Sequence, residues 1–185
     1  MTIAVDVDDV LLSLADSWLA LYNEDFEDNL TKEDWKSWDI HLYTKPECGL
    51  KFYEYLNTPG LYAKVQPIPG AFEGVCMLRS MGHRVVFVTA TNVEQNGAKL
   101  MRLAELGFLT LTRGYCEDYI ETQSKDLVRA DVLIDDKEMN LNAFIGRGIL
   151  YTQPHNLTST YFPRANNWPE VVSLVKLMTS SFCYN

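Results

Sequence analysis

Short apolar runs alternate with longer amphipathic stretches along most of this chain. The runs at residues 3–7, 84–89, 109–112, 131–135 and 147–151 are brief and end at turn or acidic residues, which predicts strands. Helical spacing fills the intervals. Ala71–Met81 follows Pro69-Gly70 and stops at Gly82. Residues 93–106 carry Val93, Leu100, Leu103, Ala104 and Leu106 and stop at Gly107, a natural C-cap. A last helix opens at Trp168-Pro169, where the missing proline N–H is tolerated, and runs through Met178. The alternation predicts an α/β fold, a Rossmann-like parallel sheet covered on both faces.

Residues 10–65 break that rhythm. Leu11, Leu14, Ala15, Trp18 and Tyr22 follow helical spacing, Thr31-Lys32-Glu33-Asp34 reads as a helix start with a capping acid, and residues 50–57 suit another helix. No strand pattern occurs here. The expected organisation is a core of residues 1–9 and 66–185 with a small helical cap, residues 10–65, inserted after the first strand.

A length of 185 residues suffices for one full core with a small insert. The formal charge is −9 and there is no Lys/Arg run, which argues against a polynucleotide gripped through its phosphates. A small anion remains compatible, since a metal and one or two lysines reverse the sign locally. Cys48, Cys76, Cys116 and Cys183 have no metal-ligand spacing and read as reduced thiols of a cytoplasmic protein. No apolar run approaches membrane-spanning length, and the N-terminus has no signal-peptide pattern. Asn156-Leu157-Thr158 matches a glycosylation sequon by chance.

The first strand runs Ile3-Ala4-Val5 into Asp6-Val7-Asp8-Asp9, and a later one runs Val132-Leu133-Ile134 into Asp135-Asp136. Carboxylates at the ends of buried strands are unfavourable unless a cation compensates them, so two such ends suggest one shared divalent-metal site. Asp6 and Asp8, two apart, leave an extended strand on the same face. Thr89 ends another strand with a hydroxyl, and Lys125 precedes the strand that ends in the second acid pair. Each element alone has an ordinary role: a helix cap, a strand end, a solvated lysine, a turn. Together, at successive strand ends, they suit phosphoryl transfer, which needs positioning and charge neutralisation.

Asp-x-Asp-x-Val after a first strand, then Thr, then Lys and a strand ending Asp-Asp, resembles the haloacid dehalogenase superfamily of phosphatases. Within it, Val65-Gln66-Pro67-Ile68-Pro69-Gly70-Ala71, the stretch from Lys125 to Lys137 and the insert after the first motif resemble the 5′(3′)-deoxyribonucleotidases. The resemblance implies that Asp6 is the nucleophile, forming an aspartyl-phosphate, and Asp8 the general acid and base. It implies Mg²⁺ held by Asp6, the Asp8 carbonyl and Asp136, with Asp135 outside the direct ligands. Thr89, the Ala90 N–H and Lys125 are then the phosphate contacts. A homodimer is an expectation from the family alone.

Three positions depart from the family's pattern. Asp9 stands where Gly is usual, Ala90 where Ser is common, and Leu14 where an aromatic often helps hold the base. Ten aromatics fall between Trp18 and Tyr62, enough for a cap core and for flat faces that stack on a base. Trp38 and Tyr53 align best with the family's base-facing pair. His41, His83 and His155 are scattered and read as structural or surface. A deoxyribonucleoside monophosphate is the expected substrate. The competing readings are a phosphatase for another small phosphomonoester such as a sugar phosphate, a phospho-acceptor signalling domain, and a non-catalytic binding protein. The order of Thr89 and Lys125 before the second acid pair argues against the signalling reading.

Overall fold

A computed structural model describes residues 1–113 and 115–180. Cys183 lies outside the described residues; Cys48, Cys76 and Cys116 are free thiols. Among the described residues six parallel strands form one sheet: β1 (Thr2–Val5), β2 (Arg84–Thr89), β3 (Tyr119–Glu121), β4 (Val132–Asp135), β5 (Arg147–Tyr151) and β6 (Arg164–Ala165), in spatial order β3-β2-β1-β4-β5-β6. β1 is central, with Val5 opposite Phe87 on one side and Ile134 on the other. A strand covered on both faces has no polar side, which is why Ile3-Ala4-Val5 is continuously apolar and fully buried.

Alternate residues feed two apolar layers. Ile3, Val5, Phe87 and Ile134 face a large cluster completed by Val75 and Leu78 of α3 (Ala71–Ser80), Leu103 of α4 (Val93–Glu105) and Val171 and Val175 of α6 (Trp168–Ser180). Ala4, Val86, Val88 and Leu133 face a smaller one with Leu141 of α5 (Glu138–Ala143) and Phe144. α3 and α6 approach so closely at Gly74 that a β-carbon there would lie 2.4 Å from Trp168 Cε3. Trp168 Nε1 donates to the Val10 carbonyl at 2.9 Å, which anchors the loop that leaves β1.

Residues 109–112 are not a strand. The edge strand is Tyr119–Glu121, and Thr112 only bridges to Tyr115. Phe108 and Leu109 carry the apolar signal because they fill the main core from a loop, while the pairing edge is half-exposed and so lacks an apolar pattern. α5 and the two-residue β6 were not legible as elements.

Between β1 and α3 the described chain has helical turns and no strand. α1 (Leu14–Phe26) is followed by 3₁₀ segments at Lys32–Asp34, Ile40–Tyr43 and Gly49–Asn57 and by α2 (Leu61–Lys64). The predicted helix start at Thr31 is one 3₁₀ turn, closed by the Asp34 carboxylate accepting from the Thr31 N–H at 2.9 Å. The predicted helix at 50–57 is also 3₁₀. This insert has its own core, in which Trp18 stacks on Phe52 with centroids 4.4 Å apart and Tyr22 is fully buried. Its two connections run side by side: Ser13 N–H donates to Gln66 O and Ile68 N–H to Leu11 O, each at 2.8 Å. Val10, Leu11 and Leu12 pack in the main core. No helix among the described residues is long and apolar enough to cross a membrane.

Candidate active site

The sheet order reverses between β1 and β4, and open α/β sheets leave a crevice at that switch point, beyond the carboxyl ends of the strands. The acids lie there. Asp6 continues β1, its N–H still donating to Ile134 O at 2.9 Å. The chain then turns sharply, with Leu11 and Leu12 N–H both on the Val7 carbonyl at 2.9 Å and Asp9 in the left-handed region at φ 56°. That conformation suits Gly; here Asp9 adopts it and its carboxylate has work on the cap side. It accepts from Ala15 N–H at 3.3 Å and pairs with Lys32 Nζ at 2.8 Å. Burial raises the Asp9 pKa, and Lys32 offsets part of that.

Two buried lysines organise the other acids. Lys125 Nζ sits 2.7 Å from Asp6 Oδ1 and 2.7 Å from Asp135 Oδ2. Burial alone would lower the pKa of this ammonium, but Asp6 and Asp135 together outweigh it and raise the pKa. Lys99 Nζ, fully buried, lies 2.6 Å from Asp8 Oδ2, 2.8 Å from Thr89 Oγ1 and 3.3 Å from the Ala90 carbonyl. Tyr62 OH donates to the Asp8 carboxylate from 3.1 Å. Burial raises the pKa of Asp8, with Lys99 offsetting part of the shift.

Asp6, Asp135 and Asp136 each offer an oxygen within 4.8 Å of the others, all buried, a set suited to a hard cation. Their other bonds differ. Asp135 is saturated: Lys125 at 2.7 Å, the Lys137 N–H at 2.8 Å and Asn140 Nδ2 at 3.0 and 3.1 Å. Asp6 Oδ1 takes Lys125 and the Val7 N–H, whereas Oδ2 has no hydrogen bond among the described residues. The Asp136 carboxylate meets only His155 among the described residues, its Oδ2 lying 3.3 Å from Nε2. Burial raises Asp135 to about 6 and Asp136 well above the ordinary carboxylate range, the neighbouring acids adding to both. Burial pushes His155 down to about 4. So much unrelieved negative charge fits a cation at Asp6 and Asp136, with Asp135 holding Lys125.

A cavity of about 270 Å³ opens above these groups. Asp6, Asp8, Asp136, Lys125 and Ala90 form its floor, and Leu14, Trp18, Trp35, Trp38, Tyr53 and Leu56 of the insert form its roof. Both aromatics singled out in the sequence are therefore present. Trp38 is 47% exposed with Lys137 Nζ 4.3 Å from its ring centre, and Tyr53 OH is 3.0 Å from His41 Nδ1. Thr89 is near the acids but fully buried behind Lys99 and not on the cavity wall. A larger groove of about 780 Å³ over the 108–118 loop shares no residue with this cavity.

The family model described as 5′ nucleotidase, deoxy (Pyrimidine), cytosolic type C protein matches residues 1–181. The chain belongs to this family of nucleotidases. It is 34% identical over 174 residues to a 5′(3′)-deoxyribonucleotidase of Clostridium acetobutylicum, spanning 94% of this chain and 93% of that one. It is 32% identical over 170 residues to a 5′(3′)-deoxyribonucleotidase of Bacillus subtilis, spanning 91% and 95%. Solved structures extend the fold further. A haloacid dehalogenase-like family hydrolase from Xanthomonas campestris superposes with a TM-score of 0.59 at 14% identity, covering 98% of this chain and 92% of that one. A HAD family hydrolase from Deinococcus radiodurans gives 0.56 at 16%, covering 95% of each. The core is thus a HAD-type sheet.

Sequence reasoning missed Lys99, Tyr62 and the site position of His155. Lys99 had one signal: it lies four residues from both Gln95 and Leu103, and all three are buried on one face of α4. Tyr62 was counted only as a cap aromatic.

Proposed function

We propose that this chain is a Mg²⁺-dependent phosphomonoesterase for deoxyribonucleoside 5′(3′)-monophosphates, working through an aspartyl-phosphate on Asp6. The observation that carries the reading is the pairing of each catalytic carboxylate with its own buried lysine. Lys125 fixes Asp6 through Oδ1 and leaves Oδ2 for attack on phosphorus. Lys99 and Tyr62 hold Asp8 across the cavity floor. A buried carboxyl with a raised pKa is suited to hand a proton to the departing nucleoside oxygen and then to take one from the hydrolytic water.

Asp6, the Asp8 carbonyl and Asp136 would hold Mg²⁺, which when bound supplies charge neutralisation for the phosphate. Lys125, with one of its three N–H donors beyond Asp6 and Asp135, and the Ala90 N–H stabilise the phosphate oxygens. Thr89, expected as a direct phosphate contact, acts in this reading by orienting Lys99. The aromatic roof stacks on the base, with Trp38 and Tyr53 as its adjustable faces. Core 1–9 with 66–185 and cap 10–65 are part of the same proposal, the crossing of Leu11–Ser13 with Gln66–Ile68 serving as hinge. Free thiols and the family together favour the cytoplasm as its place of action.

The test is phosphate release from dUMP, dTMP, dGMP, UMP and several sugar phosphates, with Mg²⁺ and with EDTA. Metal-dependent turnover favouring deoxynucleotides is expected. Activity confined to sugar phosphates would keep the acid chemistry and discard the base pocket. Release that survives EDTA would remove the metal.

A further inference from the structure

Two neighbouring rings carry polar atoms with no partner. Trp35 Nε1 and His155 Nδ1 are both buried and make no hydrogen bond, and their ring centroids are 5.2 Å apart. Trp35 belongs to the cap, beside the 3₁₀ turn at Lys32–Asp34. His155 belongs to the core, in the turn Pro154–Asn156 after β5. On its far side His155 Nε2 lies 3.3 Å from Asp136 Oδ2 and 3.4 Å from the Asp136 carbonyl oxygen.

Two acceptor oxygens at Nε2 put the imidazole proton there and make Nδ1 an acceptor. An indole N–H can only donate. The two unpartnered atoms are therefore complementary, a donor and an acceptor on rings whose centroids are 5.2 Å apart. The rest of the surroundings restrains the imidazole and its target. Trp38 packs edge-on against His155 at 5.1 Å, and Asn156 Nδ2 holds the Asp136 carbonyl at 2.8 Å.

We propose that Trp35 and His155 form a brace on Asp136, in which the cap tryptophan fixes the imidazole and the imidazole fixes the carboxylate, coupling cap seating to metal affinity. This rests on Asp136 being a metal ligand. His155 is then a positioning residue for the cation, and Trp35 acts on it from the cap without touching a ligand. By thermodynamic reciprocity, the cation tightens the cap to the same degree that the cap tightens the cation.

The experiment is calorimetric titration of the full chain with Mg²⁺ alone, without substrate, for wild type, Trp35→Phe, His155→Phe and the double variant, with Tm measured for each. Loss of an outer hydrogen bond to a metal ligand typically weakens metal binding by about 10–100-fold, and His155→Phe should fall in that range. Trp35→Phe keeps an aromatic ring and removes the N–H, so about a fivefold loss is expected, the size of one hydrogen bond. In the His155→Phe background it should add nothing. A merely structural Trp35 would alter Tm and leave the affinity alone. If His155→Phe does not fold, Trp35→Phe decides. Wild-type Mg²⁺ affinity in a folded Trp35→Phe protein overturns the brace and spares the metal site. Absence of Mg²⁺ binding by wild type overturns the metal reading and the brace with it.

Discussion

In the core, the acids and lysines that build the cavity floor hang from ordered strand ends, helices or turns and have fixed partners. Asp6 extends β1, Asp135 ends β4 and Asp136 follows it, while Lys125 reaches Asp6 at 2.7 Å and Lys99 reaches Asp8 at 2.6 Å, both from positions shielded from water. In the cap, α1 is the only long α-helix among the described residues, and the rest is 3₁₀ segments and the one-turn α2, held together by rings. Trp18 on Phe52 makes a firm centre there, but Trp38 stays half-exposed and rests on Lys137. The contrast teaches where each part of the free energy goes. Parallel pairing fixes carboxylates to fractions of an ångström, as bond-making requires. On the proposed reading, ring contacts in the insert supply flat surfaces for a base, apart from the acids.

If that division holds, core substitutions act on kcat and cap substitutions on KM. Lys99→Met should produce the larger effect, a fall in kcat of about 100-fold with KM little changed, because Asp8 loses the cation that holds it. Lys99 lowers the pKa of Asp8, so its removal moves that pKa up, and the limb of the pH–kcat profile that needs ionised Asp8 shifts to higher pH. Steady-state kinetics across pH would check this; a pure KM effect would break the division. Trp38→Ala should raise KM for deoxynucleotides about tenfold, the scale of one stacked base, with kcat within about twofold. A matching loss on a base-free substrate such as a sugar phosphate would contradict its role as a base face.

The smallest effect is expected at His83, a buried core residue whose Nε2 lies 3.5 Å from Thr179 Oγ1 on α6. Burial lowers its pKa, so the unfolded chain takes up the proton first and stability falls as pH drops below about 6.5. His83→Gln should flatten the fall between pH 7 and 5, with kinetics unchanged. Urea unfolding at the two pH values reads it directly.

The strand-end acids were legible because an apolar run that ends in carboxylates brings negative charge to the edge of a core, where only a cation can balance it. Lys125 was legible only through the order of motifs. Lys99 was not, because a lysine on an amphipathic helix reads as solvated unless its burial is known, and only the company of Gln95 and Leu103 hints otherwise. The edge strand was missed for the opposite reason: Tyr119–Glu121 pairs through its backbone while its side chains stay half-exposed, and the apolar signal sits in a loop at Leu109. In the cap, the capping acid at Thr31–Asp34 and the pattern over 50–57 located helical segments but cannot separate i+3 from i+4 hydrogen bonding. Three-dimensional pairings such as His155 with Asp136 leave no trace in local sequence at all.

The most direct test of the central claim is phosphate release from dTMP, with Mg²⁺, by Asp6→Asn protein shown to be folded by circular dichroism and Tm. The account predicts a native fold and no turnover above background, since the amide cannot form the phosphoryl-enzyme. Measurable hydrolysis by the folded Asp6→Asn protein would contradict it.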